Sequence, residues 1–158
     1  MLALALAVSL AVTARVQAPT PVQAIVWAGD STGRSLAERL SALRVLARTC
    51  PREAVPVLTE LARPYRREWV IWHGALSALA ACPFEQLASY WREMITFPRQ
   101  PVREIALVGL LRTGSHGDME LIREVAHRET DPLIVALAAR ADSVLRLPIA
   151  ERAAALRR

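Results

Sequence analysis

Leu43-Arg44-Val45-Leu46-Ala47-Arg48-Thr49-Cys50-Pro51 is echoed about 32 residues later by Leu76-Ser77-Ala78-Leu79-Ala80-Ala81-Cys82-Pro83. A third, looser echo is Leu107-Val108-Gly109-Leu110-Leu111-Arg112-Thr113-Gly114. Each is an apolar stretch with helical spacing, followed by a short break and a second helical pattern. Self-similarity at a fixed period of this size marks stacked supersecondary units, because one such unit cannot bury its apolar face alone.

Working outward from these echoes, apolar residues recur at three- and four-residue spacing over most of the chain. Ser35 with Glu38 has the capping-box pattern and opens a helix over 36–49. Pro51 starts a second helix that stops before Pro64. Pro56 inside it lacks an N–H, which predicts a kink or a one-turn start. Further helices are expected over 67–81, 83–96 and from Pro101 to Gly114, with Gly114 as a left-handed cap. Another opens near Asp118. Asp131-Pro132 starts a last one running to Leu145. No stretch alternates in the manner of a strand. The expected fold is all-α, a right-handed α-solenoid of helix pairs over 35–147, with 148–158 as a short tail.

Length and composition agree. A chain of 158 residues is enough for one domain, rich in Ala and Leu and only 5% aromatic, which suits helices more than sheets. The formal net charge is +5. All of the Lys/Arg positions are Arg, a bias that follows from a GC-rich coding sequence. The Arg residues are interleaved with carboxylates, and the longest basic runs are the pairs Arg66-Arg67 and Arg157-Arg158. A nucleic-acid binder gathers its cations into a patch or stripe, so that partner is not expected.

Residues 2–14 form an uncharged, mostly apolar run. Its length fits the apolar core of an export signal and is too short to span a bilayer. Small-residue cleavage patterns end at Ala14, Ala18 and Ala24. Residues 1–24 are therefore read as a signal peptide and the chain as periplasmic or secreted, with an uncleaved membrane anchor as the alternative. No stable membrane span is expected. Residues 25–34 read as a linker or N-terminal arm, given the Pro and Gly residues between positions 19 and 33.

Pro101 to Gly114 resembles the first helix of a HEAT repeat of the bilin-lyase-like type. Pro51-Arg52-Glu53-Ala54-Val55-Pro56-Val57-Leu58 resembles the second helix of such a unit, internal proline included, and Asp131-Pro132 with the Ala-rich helix after it also fits. The resemblance implies a stack of HEAT-like pairs. The Arg that recurs early in the family's first helices is present as Arg39 and Arg103. It is replaced by Ile71 and Ile134 at the matching positions, so an unbroken arginine ladder is not expected.

No phosphate loop, nucleophile elbow or metal-ligand spacing occurs in the sequence. His73, His116 and His127 are not followed by Glu, so the His-Glu pairs of HEAT-type di-iron enzymes are missing. Cys50 and Cys82 sit at matching turns. Helices stack about 8–10 Å apart, beyond the about 7 Å that a disulfide allows between α-carbons, so the two cysteines are expected to be unbridged. Trp72 and Trp91 fall on apolar stripes and read as core. Glu60, Arg92 and Glu124 share one register on the second helices and read as a surface row of alternating charge.

These features point to a non-catalytic scaffold or adaptor without a cofactor, binding a protein or peptide through the concave face of the second helices. The residues expected there are Arg63, Tyr90, Arg92, Arg123 and His127, and Trp69, core or ligand-stacking, is a further binding candidate. The alternatives are a bilin-lyase-like HEAT enzyme, as the resemblance implies, or a nucleic-acid-binding HEAT protein.

Overall fold

The computed structural model describes residues 18–64 and 68–157. The apolar run 2–14, Tyr65, the Arg66-Arg67 pair and Arg158 lie outside the described residues. Within them the secondary structure is entirely helical, with no strand.

The chain first departs from expectation at its start. Helix α1 (Pro21–Gly29) occupies most of the region read as the end of a signal and a linker. Thr20 and Gln23 form a reciprocal capping box, and Pro21 stands in the first turn, where its missing N–H costs nothing. Ala24 and Ala28, one turn apart, are fully buried. Their small side chains let α1 lie close against α2 (Leu36–Thr49). Asp30 then accepts hydrogen bonds from the Thr32 and Gly33 amides and turns the chain into the cap of α2.

Helix α2 begins at the expected Ser35–Glu38 capping box. The segment after Pro51 is a single 3-10 turn at Arg52–Ala54 followed by α3 (Val55–Leu61). Pro56 falls in the first turn of α3, so no interior hydrogen bond is lost. The next pair is α4 (Trp69–Ala80), a 3-10 turn at Glu85–Leu87 and α5 (Ala88–Met94). The third is α6 (Gln100–Thr113), a 3-10 turn at His116–Asp118 and α7 (Met119–Arg128).

Gly114 is not a left-handed cap. Its backbone is extended, with φ −72°. Glycine is required for space: a Cβ there would come within 2.7 Å of the Leu110 carbonyl and the Asp118 carboxylate. The left-handed residue is instead Cys50, with φ 36°.

The last expected helix is divided. Asp131 caps α8 (Pro132–Ala139) by accepting from the Leu133 and Ile134 amides. The helix tightens at Arg140, whose amide bonds the Leu137 carbonyl three residues back, and resumes as α9 (Ala141–Leu145). The segment read as a short tail contains α10 (Ile149–Ala155), which packs on α6 and α9.

Helices α2, α4, α6 and α8 each pack on the next, while α3, α5 and α7 pack on α4, α6 and α8. The core runs through both layers, from Leu46 and Leu58 through Leu76 and Leu79 to Trp91, Leu110 and Ile122. Each such side chain contributes about 1.5–3 kcal/mol on burial. The second-layer helices α3 and α5 have only 7 residues each, far below the about 12–15 that an isolated helix needs. Packing on the first layer therefore holds them. Among the described residues no helix is long and apolar enough to cross a membrane.

Candidate functional site

The helix pairs have two edges, one at the turns within pairs and one at the connections between pairs. The connecting edge is held by charge. Arg39 is buried on α2; its Nε donates to the Ala28 carbonyl at 3.2 Å and its Nη1 to Glu68 at 2.7 Å. Arg103 on α6 repeats the device, donating to Glu129 at 2.7 Å and to the carbonyls of Phe97 and Pro98. The Arg103 hydrogen bond holds the Glu129 carboxyl below its ordinary range. At the matching positions Ile71 and Ile134 are buried apolar residues. Each arginine ties its own helix to the segment that ends one unit and enters the next.

The expected binding residues fall into two groups. Tyr90 on α5 and Trp72 on α4 both donate to the Ala62 carbonyl, at 2.8 and 2.9 Å, just after α3. Burial pushes the Tyr90 phenol well above its usual pKa, so it stays a neutral donor. Arg63 follows directly and is exposed, with its Nε 2.8 Å from Glu60. Arg123 and His127 are exposed on α7, and Arg123 lies 3.7 Å from Glu120. Trp69 belongs elsewhere. It lies at the connecting edge, with its ring 5.0 Å from the Trp72 ring and under the Arg99 guanidinium. It lines a cavity of about 290 Å³ with Leu36, Arg39 and Glu68.

The expected row of Glu60, Arg92 and Glu124 does not pair along the stack. Glu60 bonds Arg63, and Glu124 bonds Arg128 on its own helix. Arg92 reaches across to Asp118, with Nε–Oδ1 at 2.6 Å and Nη2–Oδ2 at 3.2 Å. Burial pushes the Asp118 carboxyl up, but hydrogen bonds from Arg92 and Ser115 outweigh it, so its pKa lies below the ordinary value. Glu60 and Glu124 thus pair locally, while Arg92 crosses to the turn of the next unit and takes Asp118 in place of a carboxylate in its own row.

The expectation of free cysteines is also corrected. Cys50 and Cys82 form a disulfide, with α-carbons 5.5 Å apart. The left-handed backbone at Cys50 swings its side chain out of the helical path and toward the neighbouring turn. Helix-axis spacing therefore does not set the distance between these turns.

Two arginines escaped the sequence reading. Arg152 on α10 is buried and donates to the carbonyls of Leu147, Gly114 and Leu145. Burial pushes its pKa down. Arg112 donates to the Ala81 carbonyl at 2.8 Å, one unit away. The signal for Arg152 was the Pro148-Ile149-Ala150-Glu151 helix start, which places it one turn inside a helix.

Comparison with protein-family models, with curated proteins and with solved structures gives no match.

Proposed function

We propose that the chain is a non-catalytic adaptor. It is a right-handed solenoid of HEAT-like pairs that binds a protein or peptide on the face of α3, α5 and α7. The observation that carries this reading is the recurrent packing, in which α2, α4, α6 and α8 meet in succession and α4, α6 and α8 each bear one second-layer helix. In a solenoid of this kind the second helices share the concave side, the surface that repeat arrays use for binding. Arg63, Arg123 and His127 stand exposed on or beside it. The protein works in an oxidising compartment, periplasmic or extracellular. Its disulfide supports that assignment, because such bonds persist there and are rare in a reducing cytosol.

The test is capture of partners from a host extract by the wild-type chain and by the double variant Arg63→Glu, Arg123→Glu. Both positions are exposed, so folding is preserved. Proteins held by the wild type should be lost from the variant. Retention of every one of them overturns the assignment of this face.

A further inference from the structure

The turns within the pairs form a second concave feature that the adaptor reading does not use. A cavity of about 680 Å³ is lined by Arg92, Ser115, His116 and Arg152, among others. A second, of about 440 Å³, is lined by Arg52 and Phe84. Both have Glu85, Gln86 and Ile149 in their walls, so they open side by side as one groove. Its floor comes from the turns that follow α2, α4 and α6. Its far wall is α10, folded back so that Arg152 reaches the Gly114 carbonyl at 2.7 Å. The Cys50–Cys82 disulfide joins the first two of these turns, two residues before Arg52 in one and before Phe84 in the other.

The charge of the groove is lopsided. Arg52, Arg92 and Arg152 line it, against the single carboxylate Glu85. Asp118 neutralises Arg92. Among the described residues, Arg52 and Arg152 form no ion pair. Arg52 stacks on Phe84 at 5.1 Å. Arg152 donates only to backbone carbonyls and feels Glu85 from beyond ion-pair distance. Arg52 thus offers an exposed guanidinium without a paired counter-charge at one end of the groove, and the buried Arg152, its donors held by carbonyls, adds positive potential at the other. The size is that of a ligand site, which spans about 300–1,000 Å³.

We infer that this groove takes an acidic peptide segment, one carboxylate meeting the exposed Arg52, another lying in the positive field of the buried Arg152, and backbone amides meeting Glu85 and Gln86. The inference rests on the reading of the chain as a protein-binding adaptor and names the chemistry of the partner's docking segment. Glu85, midway along the groove, is what favours a peptide. It accepts from backbone amide N–H groups, which a phosphodiester backbone does not have.

The test is binding of fluorescein-labelled hexaglutamate to the full-length, disulfide-bonded protein, followed by anisotropy. Hexaglutamine, inorganic phosphate and a ten-residue oligothymidylate serve as competitors. Arg52→Gln removes a charge-assisted hydrogen bond to the peptide and should weaken hexaglutamate about tenfold. Arg44→Gln, with the same change in net charge on exposed α2 surface, should change it by less than about twofold. Glu85→Gln should strengthen it by about twofold to fivefold. All three residues are exposed, so the variants fold. Equal effects of Arg52→Gln and Arg44→Gln would overturn the groove, as would displacement by oligothymidylate or phosphate below the hexaglutamate concentration needed. Loss of hexaglutamate in the Arg63→Glu, Arg123→Glu variant with full binding by Arg52→Gln would also overturn it, while leaving the second-helix face standing.

Discussion

Cys50 and Cys82 are 32 positions apart, yet their α-carbons lie 5.5 Å apart across a disulfide. The bond joins the turn after α2 to the turn after α4, so it staples two successive units at the same point of each. Closing a loop of this length is worth about 3–4 kcal/mol in the chain-entropy account. The double variant Cys50→Ala, Cys82→Ala should lose stability of that order, read by urea denaturation. A second comparison isolates the backbone. Because Cys50 sits at φ 36°, Cys50→Gly with Cys82→Ala should be about 1 kcal/mol more stable than the alanine pair.

Gly109 and Trp91 pack face to face without room for a methyl group. A methyl group at Gly109 would overlap the Trp91 indole, which is fully buried. Gly109→Ala should cost about 1–3 kcal/mol through overpacking. Trp91→Leu opens that space, so the double variant should cost clearly less than the sum of the singles. Simple additivity in a thermal-denaturation cycle would show that the two do not meet.

Acid should act through Glu129 and Asp118. Both carboxyls are held below their ordinary values of 4.5 and 3.8 in the folded chain, by Arg103 and by Arg92 with Ser115. Their contribution is complete above those values, where folded and unfolded chains are both ionised. As pH falls below them the unfolded chain takes up protons first, and stability drops until the folded pKa values are passed. Melting temperature should therefore be flat near pH 6 and decline on acidification below about pH 4.5. Arg103→Met, which leaves Glu129 without its partner, should lower stability at neutral pH by about 1–3 kcal/mol and flatten the acid slope.

The start of α1 bears on processing. Cleavage after Ala24 would remove Thr20, Pro21 and Gln23 and leave half a helix uncapped. Export should then yield a mature chain that begins before Thr20. N-terminal sequencing of the protein from its host checks this, and Ile25 as the first residue would contradict it. A chain trimmed to begin at Ile25 should melt several degrees lower, since it loses a cap worth about 1 kcal/mol and the buried Ala24.

Helix starts were the most legible part of the sequence, because capping is local chemistry. Ser35 with Glu38, Asp131 with Pro132 and the early Pro56 all read correctly from neighbours within a turn. The same chemistry at Thr20 and Gln23 was obscured by the surrounding Pro and Gly and by the lack of charge in α1. What the sequence could not show depends on the path of the backbone between units. Nothing in Thr49-Cys50-Pro51 reveals that Cys50 turns left-handed, and that turn decides the disulfide. Arg152 reads as one more arginine in a basic tail until α10 folds back over α6. The proposed binding residues were half legible. Register placed Arg63, Arg123 and His127 on second helices or beside them, but spacing alone could not show that Arg92 would prefer Asp118 or that Trp69 belongs to the opposite edge.

The most direct test of the adaptor account is hydrogen exchange of the chain alone and with a protein captured from its host, resolved by peptide. The account predicts added protection in α3, α5 and α7 and in the segments around Arg52, Glu85 and Ser115, with α1 and α8 unchanged. Protection confined to α1 or α8, with the second-layer helices unaltered, would contradict it.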